Sequence, residues 1–128
     1  PGLIRCLNDV KYSFNSYTMS CAAIACGTAA LQNREYFETT VRKIVKTREE
    51  VKGELKKLGF EFTDSKANFL FVTHPKYSAG KLFEELREAG IYVRHWNDPK
   101  IKDYLRITIG TDEEMKVLLD FLKKKIGA

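Results

Sequence analysis

The amino-acid sequence predicts an α+β fold of two layers, in which helices cover one face of a small, mostly antiparallel sheet and connecting helices precede it. Two observations support this. Apolar residues recur at spacings of three, four and seven along residues 34–58, the period of an amphipathic helix. Short alternating segments then occur between residues 60 and 109 on both sides of one helical segment, as expected for strands that share a sheet.

Two short helices open the chain. Residues 3–10 and 17–31 have helical patterns, and the second is rich in Ala and other small residues that let another backbone approach closely. The segment 11–16 breaks the pattern. Its surroundings contain four polar or aromatic residues that could touch a ligand or cap the next helix, with capping the favoured interpretation. These residues are Tyr12, Asn15, Ser16 and Tyr17.

A long amphipathic helix follows from Arg34 and ends at Gly59. Its apolar positions are Phe37, Val41, Ile44, Val51, Leu55 and Leu58. At 1.5 Å per residue such a helix spans roughly 36 Å. It is therefore long enough to bridge two bodies of a larger protein.

The second half of the chain alternates between strand and helix. Residues 60–62 and 67–73 predict two strands, the second of which ends at His74, and residues 78–89 predict a helix that Gly90 stops. Residues 91–94 and 104–109 predict two more strands, joined by a polar loop. Thr111 and Glu114 are spaced as a capping box, which predicts the start of a final helix.

Length and composition fit one water-soluble globular domain. The chain has 128 residues, 44% hydrophobic and 30% charged. We expect a helical segment at residues 1–33 and a C-terminal small domain at residues 34–128, because a polar turn separates them. The first residue is Pro1 rather than Met, so we expect the chain to begin inside a larger gene product. The longest uncharged stretch, residues 12–33, is too polar for a membrane span.

The charged residues and cysteines exclude some classes of function. The net charge of +5 is mild, and Lys and Arg are interleaved with acids, as at residues 48–50, which indicates a solvated face and no nucleic-acid stripe. The cysteines are odd in number and lie in apolar helical surroundings, so we expect reduced, packed thiols, no metal site and a cytoplasmic protein. They are Cys6, Cys21 and Cys26.

Arg94 and Arg106 are the most informative candidates for a binding site. Strand alternation places each on the face opposite the apolar core positions, and pairing of the two strands would make them neighbours. Like charges opposite each other destabilise a strand pair, so a carboxylate or phosphate between them would explain the arrangement. Alternatively, both are solvated or paired with a nearby acid, and the acids in reach are Asp98, Asp103 and Asp112.

Other candidates are weaker. Asn68 lies among apolar strand residues, where a hydrogen-bonding duty or a locally satisfied edge position would explain it equally well. His95 and Trp96 follow Arg94 and could form a binding edge or a simple surface loop, with the loop the favoured interpretation, and His74 is interpreted as a strand terminator. The sequence contains no nucleophile motif, no phosphate-binding glycine loop and no metal-binding motif, so no catalytic residue is predicted.

Three segments resemble one enzyme family. Residues 67–69, 90–94 and 104–114 are similar to the C-terminal part of the histidinol-phosphate aminotransferases, which depend on pyridoxal 5'-phosphate, and the likeness covers the whole chain. The Leu-Arg-Ile-Thr-Ile-Gly-Thr stretch at residues 105–111 carries most of it. The resemblance implies that Arg106 contacts a substrate anion, that Arg94 lies near the substrate phosphate, and that Asn68 belongs to a strand motif of the same site.

The resemblance also implies what the chain does not contain. In this family the cofactor is bound as a Schiff base to a lysine upstream of the matched region, in an N-terminal cofactor domain, and the enzyme is a homodimer. The implied reaction transfers an amino group between L-histidinol phosphate and 2-oxoglutarate. This chain would then orient a small phosphorylated or carboxylate substrate and have no turnover alone. A related aminotransferase or decarboxylase, or a free-standing anion-binding module, remains an alternative.

Overall fold

The computed structural model describes residues 2–14 and 19–127. Contacts divide the chain into two compact units, Pro1–Glu38 and Thr39–Ala128. Within the described residues the elements are the helices and strands α1 (Gly2–Phe14), α2 (Cys21–Gln32), α3 (Arg34–Lys57), β1 (Glu61–Phe62), β2 (Phe69–Thr73), α4 (Ala79–Glu88), β3 (Leu105–Thr108) and α5 (Asp112–Ile126). The predicted fold class is confirmed. The predicted boundary at residues 33 and 34 stays a prediction.

The sheet has the strand order β1-β2-β3, and both strand pairs are antiparallel. In β2 and β3 the side chains alternate strictly, so that Leu70, Leu105 and Ile107 are buried on one face. That face packs into a core shared with α3, α4 and α5. The core residues are Val51, Leu55, Phe60, Leu70, Val72, Ala79, Leu82, Leu86, Leu105, Ile107, Ile109, Met115, Leu118 and Leu122.

Local chemistry fixes the helix ends in this second unit. Gly59 and Gly90 follow α3 and α4 with φ of 83° and 76°, a conformation that glycine adopts without strain. At the start of α5 the Thr111 hydroxyl accepts from the Glu114 N–H at 3.2 Å, and Glu114 Oε2 accepts from the Thr111 N–H at 2.8 Å. The predicted capping box is therefore confirmed.

The first unit departs from the sequence expectations. Helix α1 continues through Lys11 to Phe14 and does not break at residue 11. The cap of α2 is Ser20, whose hydroxyl accepts from the Ala23 N–H at 3.1 Å, so Tyr12 does not cap it. Asn15, Ser16 and Tyr17 lie outside the described residues. Cys6, Cys21 and Cys26 are free thiols as expected, but the expectation that they are packed is wrong, because all three are exposed, and α2, which carries two of them, has no buried residue.

Two further expectations are wrong in the second unit. Residues 91–94 form no strand: Ile91 donates its N–H to Leu86 O at 2.8 Å, and only Arg94 forms a β-bridge. The charges at residues 48–50 are not all solvated, since Arg48 is 4% exposed, and Lys52 on the same helix is 6% exposed. Both side chains are buried because each extends from α3 to the loop that precedes β2.

Candidate functional site

Arg94 and Arg106 lie directly opposite each other at the edge of the sheet. They form an antiparallel bridge, in which Arg94 N donates to Arg106 O at 3.0 Å and Arg106 N donates to Arg94 O at 2.8 Å. Side chains of directly opposed residues stand on the same face of a sheet. The structure therefore brings the two arginines together, as the alternation of their segments predicts.

This pair stands on the face of the sheet opposite the core. Arg106 is the register partner of Phe71, whereas the flanking pair Leu70 and Ile107 is buried on the other side. The row across the sheet is thus Phe71, Arg106 and Arg94. Arg106 is half-buried and Arg94 is exposed, so a ligand can reach both guanidinium groups from solvent.

Aromatic rings surround the two guanidinium groups. The Cζ atoms of Arg94 and Arg106 lie 5.3 and 5.6 Å from the centroid of the Trp96 ring. Arg106 Cζ also lies 5.5 Å from the Phe69 ring centroid. Phe71 meets Trp96 edge to face at 6.2 Å and stacks on Tyr104 at 4.6 Å, which braces the indole from the sheet side.

The arginines have no acidic partner among residues 2–14 and 19–127. Asp98 instead accepts from the Lys100 N–H at 2.8 Å, and Asp112 accepts from the Thr47 hydroxyl at 2.6 Å. The Nε of Arg106 is buried and has no hydrogen-bond partner in the described part of the chain. A buried N–H of a cation without an acceptor is costly. The two guanidinium groups thus carry positive charge that no acid among the described residues balances, and anion binding by this pair stays a prediction.

Asn68 lies one residue before β2, and its backbone carbonyl accepts from the Ile109 N–H at 2.8 Å. Asn68 is exposed, and its side-chain amide makes no hydrogen bond within the described residues. The described contacts do not bring this amide to the arginine pair. Its part in substrate binding stays a prediction.

Two buried cations of α3 hold the loop that leads to Asn68. Arg48 Nη1 donates to Ala67 O at 3.0 Å, and its Nε donates to Glu49 at 3.0 Å. Lys52 Nζ donates to Asp64 at 2.7 Å and to Ser65 O at 3.0 Å. Hydrogen bonds from Lys52 and then Lys66 hold the pKa of Asp64 well below its ordinary value, and the Asp64 hydrogen bond raises the pKa of Lys52.

His95 and Trp96 do not form a simple surface loop, because both are half-buried. His95 Nε2 lies 2.7 Å from Lys102 O, and its ring stacks on Phe83 at 5.7 Å. These contacts close the segment between Arg94 and Arg106 into a folded loop. Trp96 is the main residue whose contacts the sequence interpretation missed, because that interpretation favoured a surface loop over a binding edge.

His74 does more than end a strand. Its Nδ1 accepts from the Lys76 N–H at 3.1 Å, so the ring carries its hydrogen on Nε2, which lies 3.0 Å from Leu58 O and donates to it. The ring also meets Phe60 and Tyr77 edge to face, at 5.0 and 4.9 Å. With both nitrogens occupied, His74 ties the end of β2 to the end of α3.

Other kinds of site find no support in the described residues. No group of three or more His, Cys, Asp or Glu residues within 2–14 and 19–127 could hold a metal ion. In the same part of the chain, every helix is too short or too polar to cross a bilayer.

A family model described as aminotransferase class I and II matches residues 2–122. Among curated proteins, the histidinol-phosphate aminotransferase of Lactococcus lactis subsp. lactis is 56% identical over 117 residues, which cover 91% of this chain and 32% of that protein. That of Pseudomonas putida is 49% identical over 122 residues, covering 95% and 35%. The chain therefore spans about a third of the length of the curated relatives it matches.

The fold is also similar to that of solved structures. The crystal structure of the histidinol-phosphate aminotransferase from Sinorhizobium meliloti, in complex with pyridoxal-5'-phosphate, aligns with a TM-score of 0.76 and 26% identity. The alignment covers 88% of this chain and 32% of that chain.

Proposed function

The chain belongs to the class I and II aminotransferases, and on that premise we propose that it is the C-terminal, substrate-orienting part of a histidinol-phosphate aminotransferase. The parent protein would transfer the amino group of L-histidinol phosphate to 2-oxoglutarate in the cytoplasm. Its matching relatives carry that name, at 56% and 49% identity.

One observation supports the binding role above all others: the buried Nε of Arg106 lacks an acceptor, and the guanidinium of Arg94 lies on the same face of the sheet. Guanidinium groups bind phosphate and carboxylate through two parallel hydrogen bonds. In this proposal both arginines bind one substrate anion. Their work is orientation, because they hold the far end of the substrate while its amino group reacts elsewhere.

Three lysines of this chain do not fit as the anchor of pyridoxal 5'-phosphate. A Schiff-base amine needs a depressed pKa, whereas carboxylate hydrogen bonds raise the pKa of Lys52, Lys123 and Lys125. When bound in the parent protein, the cofactor supplies the electron sink for amino transfer. We assign the groups that hold it to the rest of the parent protein, and we expect no turnover from the 128-residue chain.

Exposed apolar side chains on the helices of the first unit support the proposal that this unit packs against a partner. In α1 the side chains of Leu3, Ile4, Leu7 and Val10 are between 58% and 74% exposed. Helix α2 has no buried residue, although Ala, Ile and Leu make up most of it. Such apolar surface normally packs against protein. In the proposed parent protein it contacts the N-terminal cofactor domain or the second protomer of a homodimer.

The direct test is to assay the full-length protein with L-histidinol phosphate and with L-histidinol, which lacks only the phosphate. If the arginines bind the substrate phosphate, kcat/KM for the phosphorylated donor should be higher by about 10- to 100-fold, the value of one charge-assisted hydrogen bond or more. Equal kcat/KM values for the two donors would contradict the binding role. Neither of these donors carries a carboxyl group, so a third assay offers an α-amino acid: release of CO2 from it, without formation of glutamate from any donor, would instead identify a decarboxylase.

A further inference from the structure

Trp96 makes a contact with both members of the arginine pair. The two Cζ atoms lie 5.3 and 5.6 Å from its ring centroid, within the range of a cation–π interaction. Trp96 is half-buried, and the edge-to-face contact with Phe71 at 6.2 Å supports it from the sheet side. One neutral ring therefore serves two facing cations.

This arrangement solves a specific electrostatic problem. Two guanidinium groups on opposed residues repel each other when no ligand is bound. A carboxylate neighbour would relieve the repulsion, but it would compete with an incoming anion for the same N–H donors. An indole attracts the cations through its negative ring face and has no lone pair in that face to accept a strong hydrogen bond. The ring therefore leaves the Nε–H of Arg106 without an acceptor in the described part of the chain.

We infer that Trp96 is a positioning residue that holds Arg94 and Arg106 together as one binding site for the substrate anion. The inference depends on the proposed function, because it concerns the same site. It adds that the affinity for the anion depends on a residue that contributes no charge. Without the ring, the guanidinium groups separate in the free protein, and each anion must bring them together again at a cost in affinity.

The test uses the full-length protein and two substitutions at this position. Trp96→Leu removes the ring, and Trp96→Phe keeps an aromatic face with less volume. The matched control is Phe62→Leu, which removes a half-buried aromatic side chain that lies on the core side of the sheet and contacts Lys56 instead of the arginine pair. The readouts are kcat and KM for the phosphorylated amino donor, the inhibition constant of inorganic phosphate, and the unfolding temperature.

Each cation–π contact at an exposed site changes an equilibrium by about two- to five-fold. For Trp96→Leu we expect the KM of the donor and the inhibition constant of phosphate to rise together by about 5- to 30-fold, with kcat changed less than about two-fold. Trp96→Phe should restore most of the phosphate affinity. Phe62→Leu should lower the unfolding temperature without changing either constant.

The contrary outcomes separate this inference from the proposed function. If phosphate inhibits the wild-type protein and Trp96→Leu leaves the inhibition constant unchanged, the role of Trp96 is wrong and the proposed function stands. Equal losses in Trp96→Leu and Trp96→Phe, or in Phe62→Leu, would show that packing volume and not the ring face matters, and would also overturn it. A wild-type protein that phosphate does not inhibit overturns both.

Discussion

The backbones of Arg94 and Arg106 exchange two hydrogen bonds, with N–O distances of 3.0 and 2.8 Å. Arg106 belongs to β3, whereas Arg94 lies outside the strands of the described residues, and this bridge joins its backbone to the sheet. The position of one guanidinium thus depends on the backbone of the other. The backbone bridge between the two arginines therefore holds both of their charged side chains on one face of the sheet.

We expect Arg94→Ala and Arg106→Ala each to raise the KM for a phosphorylated amino donor by about 10- to 100-fold, the value of a charge-assisted hydrogen bond. If both bind one anion, the double variant should lose less than the product of the single losses. Steady-state kinetics of the full-length protein measures both effects. Arg87→Ala is the control, because this arginine lies on the exposed side of α4 and pairs with Glu84. Strictly multiplicative losses would contradict a shared anion.

Arg48 gives a second prediction, about the loop before β2. Arg48→Met removes the donor to Ala67 O, which lies 3.0 Å away in the structure, and should lower the free energy of unfolding by about 1–3 kcal/mol. It should also speed amide hydrogen exchange at residues 67–69. Lys46→Met is the control, since Lys46 is exposed on the same helix and lies 3.8 Å from Glu50. Unchanged amide hydrogen exchange in Arg48→Met would show that the loop keeps its conformation without the hydrogen bond from Arg48.

The sequence was sufficient for the parts of the site that depend on local periodicity. Alternation in residues 104–109 predicts that Arg106 leaves the core face, and β3 confirms it. The same alternation at residues 91–94 correctly places Arg94 beside Arg106, yet it wrongly predicts a strand there. A β-strand needs backbone hydrogen-bonding partners along its length, whereas the N–H of Ile91 donates to a carbonyl near the end of α4 instead. Alternation alone contains no information about such partners.

The features that the sequence could not predict depend on contacts between distant residues. Arg48 lies in a charged stretch, and its burial requires Ala67, nineteen positions away along the chain, as its partner. The role of Trp96 requires the loop to fold back so that one ring meets two cations. From the sequence alone, Arg48 is interpreted as a charge on the surface and Trp96 as an aromatic residue in a loop. Only the packed structure shows what each one contacts.

The lowered pKa of Glu54 allows a prediction of how the stability of the second unit depends on pH. Hydrogen bonds from Lys123 and then Lys57, both at 2.6 Å, lower the pKa of Glu54 from 4.5 to about 2. The unfolded chain therefore takes up the proton more readily than the folded one, so the contribution of this ion pair is complete above pH 4.5 and disappears as the pH falls to about 2. Lys123 lies on α5, so this network links two helices.

We expect the unfolding temperature of the wild type to exceed that of Glu54→Gln at neutral pH, and the difference to vanish near pH 2. Thermal unfolding followed by circular dichroism across this range tests it. Glu50→Gln is the control on the same helix, because its carboxylate lies 3.8 Å from Lys46 in a longer, exposed ion pair. A difference between wild type and Glu54→Gln that does not change with pH would show that the carboxylate charge contributes nothing.

Two glycines near α3 should respond to alanine in opposite directions. Gly59 has a φ of 83°, and an added Cβ would lie 3.1 Å from Nε2 of His74, the atom that donates to Leu58 O. We expect Gly59→Ala to destabilise by about 1–2 kcal/mol for the left-handed backbone alone. Gly53 is exposed within α3 with nothing within 4 Å of an added Cβ, so Gly53→Ala should stabilise by about 0.5–1 kcal/mol. Chemical denaturation of the two variants measures both, and a neutral Gly59→Ala would mean that the turn after α3 readily adopts another conformation.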